Sequence, residues 1–325
     1  MRTRLPFMRT PRPKADAALG RSMVVMLFCL SGPALAQDPD SDRLRDLTKR
    51  VRELAVERIE LKVRPSMTLE GISAVSADKQ GNLYVIHRPA NGDPVVVLDP
   101  QGRILHSWGK GMFRIPHSIR VDPDGNVWTV DAHTSMVYKF TPSGTKILEI
   151  GVGGVPDSTQ DFCGATDVAF GPKGRVFVSD GYCNARVVEY DITGRKVREW
   201  GRAGIGPGEF NVIHAIVVGP QGYLYAADRE NGRLQWFTLD GKFLGQWNFG
   251  GQLYSVAFSP TGELYVGTHP KGVPLETEFH VVKLDPLNGK MLGRVQVRSH
   301  ELAVGPDGTL LPATRSSQLL LLRPK

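Results

Sequence analysis

The sequence lacks any hydrophobic run long enough to span a membrane. Its apolar run at residues 23–30 is far shorter than the roughly 20 residues that a transmembrane helix needs. A dense basic stripe is also missing, although the formal net charge is +7. Six basic residues and one acidic residue lie in positions 1–36, so this segment contributes +5 and the remainder +2. Because the excess positive charge is concentrated there, we expect no nucleic-acid partner.

Residues 1–36 have the order of a cleaved export signal. An arginine-rich start precedes the apolar run, and a small-x-small Ala-Leu-Ala sequence follows it. We predict a signal peptide that is cleaved after Ala36 and a protein that is periplasmic or extracellular. Retention of this segment as an uncleaved anchor is the alternative. After cleavage, no stable membrane insertion is expected.

Cysteine is scarce, with three residues in the whole chain. Cleavage of the signal peptide would remove Cys29 and leave Cys163 and Cys183 in the exported protein. Two cysteines in an exported chain favour one disulfide bond. Two free, buried thiols are the alternative.

The rest of the chain consists of six similar segments. Each contains a short β-rich run, a turn of the Asp/Gly-Pro-x-Gly kind and a second β-rich run, usually followed by two more. The six turns begin at Asp78, Asp122, Gly171, Gly219, Ser259 and Gly305. Tight turns between alternating apolar runs are typical of hairpins, and repeats of about 40–50 residues with four short strands are typical of propeller blades. The predicted fold class is all-β, a six-bladed β-propeller.

The sixth repeat ends one strand short of a full blade, after residues 318–322. The segment 60–65 (ELKVRP) lies before the first full repeat and is predicted to supply the missing strand. This pairing would close the ring and cover the edges that an open sheet leaves unpaired. The propeller would then cover residues 60–325, and the charged segment 37–59 is predicted to contain a short exposed helix over residues 41–59.

Histidine recurs at one position of the repeat. The position six residues before the turn proline, or before Lys79 in the first repeat, holds Ser73, His117, Thr166, His214, Tyr254 and His300. The first strand of each propeller blade lines the central channel, so residues from alternate blades lie about 120° apart around the axis. Three imidazoles around an open axial position are typical of a catalytic zinc site. We therefore predict that His117, His214 and His300 bind one Zn²⁺ ion.

A second repeat position, nine residues after the same proline, returns to the mouth of the channel where the histidines begin. It holds Arg88 in the first repeat and Arg229 in the fourth, and Tyr182 lies one residue beyond it in the third. We predict that these side chains surround the metal. Arg315 holds this position in the shortened sixth repeat and is the weakest candidate. For any single arginine, a surface salt bridge is the alternative.

Longer motifs carry a resemblance to a known family. The runs FCGATDVA at 162–169, SDGYCNAR at 179–186 and ADRENGR at 227–233, together with the three-histidine spacing, closely resemble the peptidyl-α-hydroxyglycine α-amidating lyases. The enzymes of this family are zinc-dependent propellers that complete peptide C-terminal amidation and release glyoxylate. The resemblance covers roughly residues 67–325, and its blade motifs are those of NHL repeats.

The resemblance implies roles for the residues at matching positions. It places zinc ligands at His117, His214 and His300, the catalytic tyrosine at Tyr182, active-site arginines at Arg88 and Arg229, and a disulfide between Cys163 and Cys183. It also implies a structural Ca²⁺ near Val75, Ile119 and Glu301. The implied partner is a small-molecule or peptide α-hydroxyglycine. This substrate would come from elsewhere, because no monooxygenase half matches.

The sequence departs from the family pattern around the third histidine. Glu301 stands where the family has aspartate, and Arg298-Ser299 replaces a Met-Pro pair whose methionine belongs to the family's active site. Two other functions remain open. One is a non-enzymatic NHL propeller that binds a peptide or an envelope ligand, and the other is a different metal-dependent propeller lyase or hydrolase. Such enzymes usually hold calcium with oxygen ligands, whereas imidazole favours zinc.

Overall fold

Six four-stranded antiparallel sheets follow one another along the chain in a computed structural model that describes residues 39–153 and 162–325. The predicted signal peptide at 1–36 lies outside the described residues. A helix, α1 (Pro39–Lys49), and a strand, β1 (Val56–Leu61), precede the first complete blade. Each of the first five blades is a meander of strands that are consecutive in the chain, as the tight turns between its β-rich runs predict, whereas the sixth combines the last three strands with β1.

The strands of blades 1 to 3 are β2 (Ala74–Ala77), β3 (Leu83–Ile86), β4 (Val95–Leu98), β5 (Ile104–Trp108); β6 (Pro116–Val121), β7 (Val127–Asp131), β8 (Met136–Phe140), β9 (Lys146–Gly151); and β10 (Asp167–Phe170), β11 (Val176–Asp180), β12 (Arg186–Tyr190), β13 (Lys196–Trp200), with a 3₁₀ turn at Pro172–Gly174. Those of blades 4 to 6 are β14 (Ile213–Val218), β15 (Tyr223–Asp228), β16 (Arg233–Thr238), β17 (Phe243–Asn248); β18 (Gln252–Phe258), β19 (Leu264–His269), β20 (His280–Leu284), β21 (Met291–Gln296); and β22 (Leu302–Val304), β23 (Leu310–Pro312), β24 (Leu319–Pro324), completed by β1.

The first strands of the blades form a closed ring. They contact one another in chain order (β2, β6, β10, β14, β18 and β22), and β22 contacts β2. The predicted six-bladed β-propeller is therefore confirmed. Every gap between neighbouring blades of the described chain holds an apolar cluster, such as Trp128 with Val178 between blades 2 and 3 and Phe177 with Phe237 between blades 3 and 4. Burial of these side chains stabilises the ring and fixes where each first strand meets the channel.

Strand β1 closes the ring, but it begins earlier than predicted. It pairs antiparallel with β24, with Val56 opposite Pro324 and Leu61 opposite Leu319. Only positions 60 and 61 of the predicted segment 60–65 belong to this strand. Beyond Leu61 the chain crosses to blade 1, where the Arg64 N–H donates to the Gly102 carbonyl. Positions 60 and 61 therefore pair with blade 6 as predicted, whereas positions 62–65 do not belong to the strand.

Helix α1 is shorter and less exposed than predicted. It ends at Lys49, well before residue 59. Leu44 is buried in the apolar cluster between blades 4 and 5, and Arg45 forms an ion pair with Glu278 at 2.7 Å. The helix thus covers one gap of the ring. No helix among the described residues has the length and apolar character to cross a membrane.

Candidate metal centre and active site

The three predicted histidines converge at one point of the channel. The ring centroids of His117, His214 and His300 are 4.8 to 5.0 Å apart in all three pairs. One ligand nitrogen from each ring lies within 4.8 Å of the other two. Blades 2, 4 and 6 therefore contribute a nearly equilateral set of imidazoles. This arrangement is the one that a three-histidine metal site requires.

Irregularities in the first strands aim two of these histidines inward. Strand β6 pairs with β7 through Pro116 and Ser118 but not through His117, which lies at a shift in the register. Strand β14 has the same shift around His214. A β-bulge of this kind turns one side chain out of the regular alternation, and bulges are frequent beside active sites. The strand alternation of the sequence does not reveal these bulges.

A repeated hydrogen bond fixes the orientation of each imidazole. Every histidine lies against the backbone carbonyl of the equivalent residue in the next blade: Nδ1 of His117 is 2.7 Å from Thr166 O, Nδ1 of His214 is 2.7 Å from Tyr254 O, and Nδ1 of His300 is 3.0 Å from Ser73 O. A carbonyl oxygen only accepts, so each Nδ1 carries the proton and donates. The lone pair then lies on Nε2, which is free to bind a metal.

The imidazoles are held in the neutral form. Burial, with a contribution from the positive charge of Arg88, lowers the pKa of His117 to about 3. Burial also lowers the pKa of His214 and of His300 well below the ordinary value, and the neighbouring histidines add to this effect. Metal ligation requires the neutral ring, so the site favours the ligand form at neutral pH.

Tyr182 lies directly at the histidine centre. Its hydroxyl is 2.8 Å from Nε2 of His117 and 3.2 Å from Nε2 of His214. Burial raises the pKa of the Tyr182 phenol to about 12, and the positive charges of Arg229 and Arg88 offset only part of this rise. The arginines alone therefore leave the phenol protonated, and a further positive charge at the centre is needed to ionise it.

A disulfide bond holds the loop that carries Tyr182. Cys163 and Cys183 are joined, as predicted, and their Cα atoms are 4.7 Å apart. Cys163 precedes β10, whereas Cys183 follows Tyr182 in the loop between β11 and β12. The bond restricts this loop beside Tyr182. The Phe162 ring also packs against the Tyr182 ring, with centroids 5.4 Å apart.

The two predicted arginines reach the same mouth but have different surroundings. Nε of Arg88 donates to Ser73 Oγ at 3.0 Å and to Pro116 O at 3.1 Å, while Nη2 is buried and has no hydrogen-bond partner among the described residues. Arg229 is already paired, because its Nε is 2.7 Å from Glu230 Oε1. Its guanidinium lies 5.7 Å from the centre of the Tyr182 ring. Arg88 therefore has a donor free for a ligand, whereas Arg229 mainly brings positive charge to the tyrosine.

The sequence reasoning gave no role to two side chains that belong to this site. Tyr254 lies between His214, with ring centroids 5.2 Å apart, and the Arg229 guanidinium at 5.2 Å. The Ser73 hydroxyl accepts hydrogen bonds from Arg88 and from Arg315. Both residues occupy the same repeat position as the histidines, and that register was the available signal.

The residues implied for calcium do not form a suitable ligand set. Oε2 of Glu301 accepts a hydrogen bond from Nη2 of Arg120 at 3.0 Å, so a guanidinium already lies against this carboxylate. Oε1 of Glu301 is 3.5 Å from Nδ1 of His214 and has no hydrogen-bond partner within residues 39–153 and 162–325. Val75 and Ile119 lie within β2 and β6 and offer only backbone carbonyls. Two backbone carbonyls and one unpaired carboxylate oxygen make at most three protein ligands, against the six to eight oxygen ligands of Ca²⁺, and we assign calcium no step.

Comparison with known proteins agrees with this architecture. The model of the NHL repeat matches residues 162–190. Peptidyl-alpha-hydroxyglycine alpha-amidating lyase 1 of Drosophila melanogaster is 32% identical over 298 residues, which cover 75% of this chain and 54% of the fly protein. Peptidyl-glycine alpha-amidating monooxygenase of Mus musculus is 35% identical over 225 residues, 58% of this chain and 23% of the mouse protein. The chain thus spans about a quarter to about half of the length of these relatives.

A solved structure of a streptogramin B lyase superposes with a TM-score of 0.58 at 15% identity, over 83% of this chain and 98% of that one. At this identity the likeness concerns the fold alone. Fold and repeat together define the chain as an NHL-repeat β-propeller. Within that class it is a homologue of the peptidyl-α-hydroxyglycine α-amidating lyases, and the resemblance predicted from its motifs is confirmed.

Proposed function

We propose that this chain is a zinc-dependent carbon–nitrogen lyase that cleaves an N-acyl- or peptidyl-α-hydroxyglycine into an amide and glyoxylate. One observation carries the proposal: three oriented imidazoles present Nε2 atoms to the place that the Tyr182 hydroxyl reaches. The homologues whose names include this substrate class support it. A propeller that only binds a ligand has no use for a buried phenol against two of these nitrogens.

The chemistry of the donors fits zinc. His117, His214 and His300 would hold the ion through Nε2, and each ring is oriented by a carbonyl on its far side. Imidazole suits zinc, whereas calcium and magnesium prefer oxygen ligands. Bound zinc would supply a Lewis acid at the centre and the positive charge that favours an ionised Tyr182.

Tyr182 is proposed as the group that moves the proton. The ionised phenol would take the hydroxyl proton of the substrate, and the electron pair of that O–H bond would form the carbonyl of glyoxylate. The C–N bond breaks at the same carbon, and its electron pair leaves with the amide nitrogen. That nitrogen then receives the proton from Tyr182, which returns to its ionised form. Atoms and charge balance without any other reactant.

Arg88 and Arg229 are proposed to stabilise the negative charge of the substrate and of the phenolate. The free Nη2 donor of Arg88 suits a carboxylate, which a planar guanidinium binds well. Arg229 is proposed to act on Tyr182, because it lies beside that ring and its Nε is occupied by Glu230. Its predicted contact with the carboxylate stays a prediction.

We also propose that the protein is exported and works in the periplasm or outside the cell. The disulfide between Cys163 and Cys183 supports this location, because such bonds persist in oxidising compartments. Removal of residues 1–36 would accompany export.

Glyoxylate release from α-hydroxyhippurate tests the proposed reaction. The protein, purified without a histidine tag, is expected to release benzamide and glyoxylate in equal amounts, and more slowly after zinc removal. Restoring zinc is expected to restore the rate. A zinc-loaded protein that releases no glyoxylate, from this substrate or from peptidyl-α-hydroxyglycines, would favour a binding propeller instead.

Metal content tests the histidine centre independently of activity. Purified protein is expected to hold about one zinc ion per chain, measured by plasma mass spectrometry. Replacing His214 with alanine is expected to weaken zinc binding by more than the roughly 10- to 100-fold that loss of a supporting partner costs. His106→Ala is the matched control, because His106 lies in β5, the outermost strand of blade 1, where its ring stacks on Trp108. Equal zinc contents in the two variants would rule out His214 as a ligand.

A further inference from the structure

Two arginines from different blades share one serine hydroxyl beside the histidine centre. Nε of Arg88 donates to Ser73 Oγ at 3.0 Å, and Nη1 of Arg315 donates to the same oxygen at 2.9 Å. Ser73 is completely buried, and its carbonyl accepts from His300 Nδ1 at 3.0 Å. The two guanidinium groups are therefore held together, next to one of the three imidazoles.

This pair of cations has no anion to balance it within the described chain. Neither Arg88 nor Arg315 lies within 4.0 Å of a carboxylate oxygen of residues 39–153 or 162–325. The carboxylate that most affects Arg88 is that of Asp131, but its oxygens accept hydrogen bonds from backbone amides of residues 114, 115, 133 and 134. Burial and, after it, the charge of Arg315 lower the pKa of Arg88 to about 10, as expected for two guanidinium groups held together.

The backbone of Arg315 adds an independent sign of a functional position. Arg315 has φ 61°, in the left-handed region that side-chain-bearing residues rarely adopt. Such a conformation costs of order 1–3 kcal/mol and concentrates at ligand-binding and active sites. Its N–H donates to Ile72 O at 3.2 Å, and this bond holds blade 6 against blade 1 beside Ser73. The strained turn thus points to a purpose other than blade closure.

We propose that Arg88 and Arg315 form a two-armed clamp for the carboxylate of the substrate, with Ser73 holding the two arms in place. Nη2 of Arg88 has no hydrogen-bond partner in the part of the chain that the structure describes, so it is available to donate to the carboxylate. The clamp deepens the lyase proposal and rests on it for the identity of the ligand. It also assigns a role to Arg315, the weakest of the candidates from the sequence.

The clamp gives the substrate a direction. Arg88 and Arg315 belong to blades 1 and 6, whereas Arg229 and Tyr182 belong to blades 4 and 3, across the ring. If Arg88 and Arg315 hold the carboxylate, the hydroxyl-bearing carbon of the substrate lies over the histidine centre, and the substrate hydroxyl lies within reach of Tyr182. The preferred substrates are therefore those with a free carboxylate, and a neutral carboxamide in the same position would bind poorly.

Binding of hippurate and hippuramide tests the clamp without any turnover. Hippurate has the carboxylate but lacks the α-hydroxyl, so it cannot be cleaved. Hippuramide has a neutral carboxamide in place of the carboxylate. By titration calorimetry, the zinc-loaded protein is expected to prefer hippurate roughly 10- to 100-fold, the value of a charge-assisted hydrogen bond. Arg315→Gln keeps a donor for Ser73 but loses the positive charge. The variant is expected to lose most of the preference for hippurate. In the cleavage of α-hydroxyhippurate, it is expected to raise KM more than it lowers kcat.

The matched control is Arg202→Gln, which removes an exposed guanidinium paired with Glu209. It is expected to keep the preference for hippurate. If Arg315→Gln weakens hippurate and hippuramide equally, or changes neither, the clamp is wrong even when glyoxylate is released. If the preference depends on Arg315 but no α-hydroxyglycine is cleaved, the clamp stands and the lyase proposal fails.

Discussion

Replacement of Tyr182 with phenylalanine is expected to lower glyoxylate release roughly 10²- to 10⁴-fold, the range that a positioned acid–base group contributes. The phenol is the titratable group that touches two of the three imidazoles, at 2.8 and 3.2 Å. Phenylalanine retains the ring that packs edge-on against His117, with centroids 5.3 Å apart. Zinc content is therefore expected to stay at the level of the unmodified protein, and the loss should lie in kcat.

Tyr190→Phe provides the matched control for this change. Tyr190 lies in β12 of the same blade, and its buried hydroxyl has no hydrogen-bond partner in the described part of the chain. Removing that hydroxyl leaves no group unsatisfied, so stability and rate should stay close to those of the unmodified protein. A Tyr182→Phe variant that kept most of its activity with zinc bound would show that another group takes the proton.

The position of the histidine centre could be predicted because the repeats mark their own register. One turn proline in most blades aligns the first strands, and equivalent residues of alternate blades then meet at the axis. The place where His117, His214 and His300 meet follows from this symmetry, but the bulges that aim His117 and His214 inward do not. Arg88 and Arg229, at the second repeat position, could be placed at the mouth of the channel for the same reason.

Contacts that depend on backbone direction or on distant pairs could not be predicted in this way. The carbonyls that orient the imidazoles belong to Ser73, Thr166 and Tyr254, and a side-chain identity does not tell where a carbonyl points. The start of β1 could not be predicted, because the apolar alternation continues on both sides of residue 60. The contact that follows its end, from the Arg64 N–H to the Gly102 carbonyl, is a backbone contact that the sequence does not show either. Arg120 and Glu301 are 181 residues apart and no repeat position relates them.

Replacement of Arg120 with methionine is expected to lower the free energy of unfolding by about 3–5 kcal/mol, the cost of leaving a buried charge unpaired. Arg120 donates to both oxygens of Asp167, at 2.9 and 2.6 Å, and to Oε2 of Glu301 at 3.0 Å. Burial alone would lower the pKa of Arg120, but these two carboxylates raise it well above its ordinary value. Denaturant unfolding of the zinc-loaded variant measures the loss.

Calcium removal distinguishes the Arg120 guanidinium from a bound Ca²⁺ as the cation that balances Asp167 and Glu301. With zinc resupplied, EGTA is expected to leave the free energy of unfolding of the unmodified protein unchanged, because the Arg120 guanidinium already supplies the positive charge. Arg175→Met is the control: it breaks a pair with Glu189 at 2.7 Å, but Glu189 keeps Arg198 as a second partner at 2.9 Å, so this change should cost less than Arg120→Met. If EGTA destabilised the unmodified protein while Arg120→Met did not, a bound ion would be the group that balances Asp167 and Glu301.

Glu301 also lies 3.5 Å from Nδ1 of His214. The loss of Arg120 should therefore weaken zinc binding at the histidine centre as well as destabilise the fold.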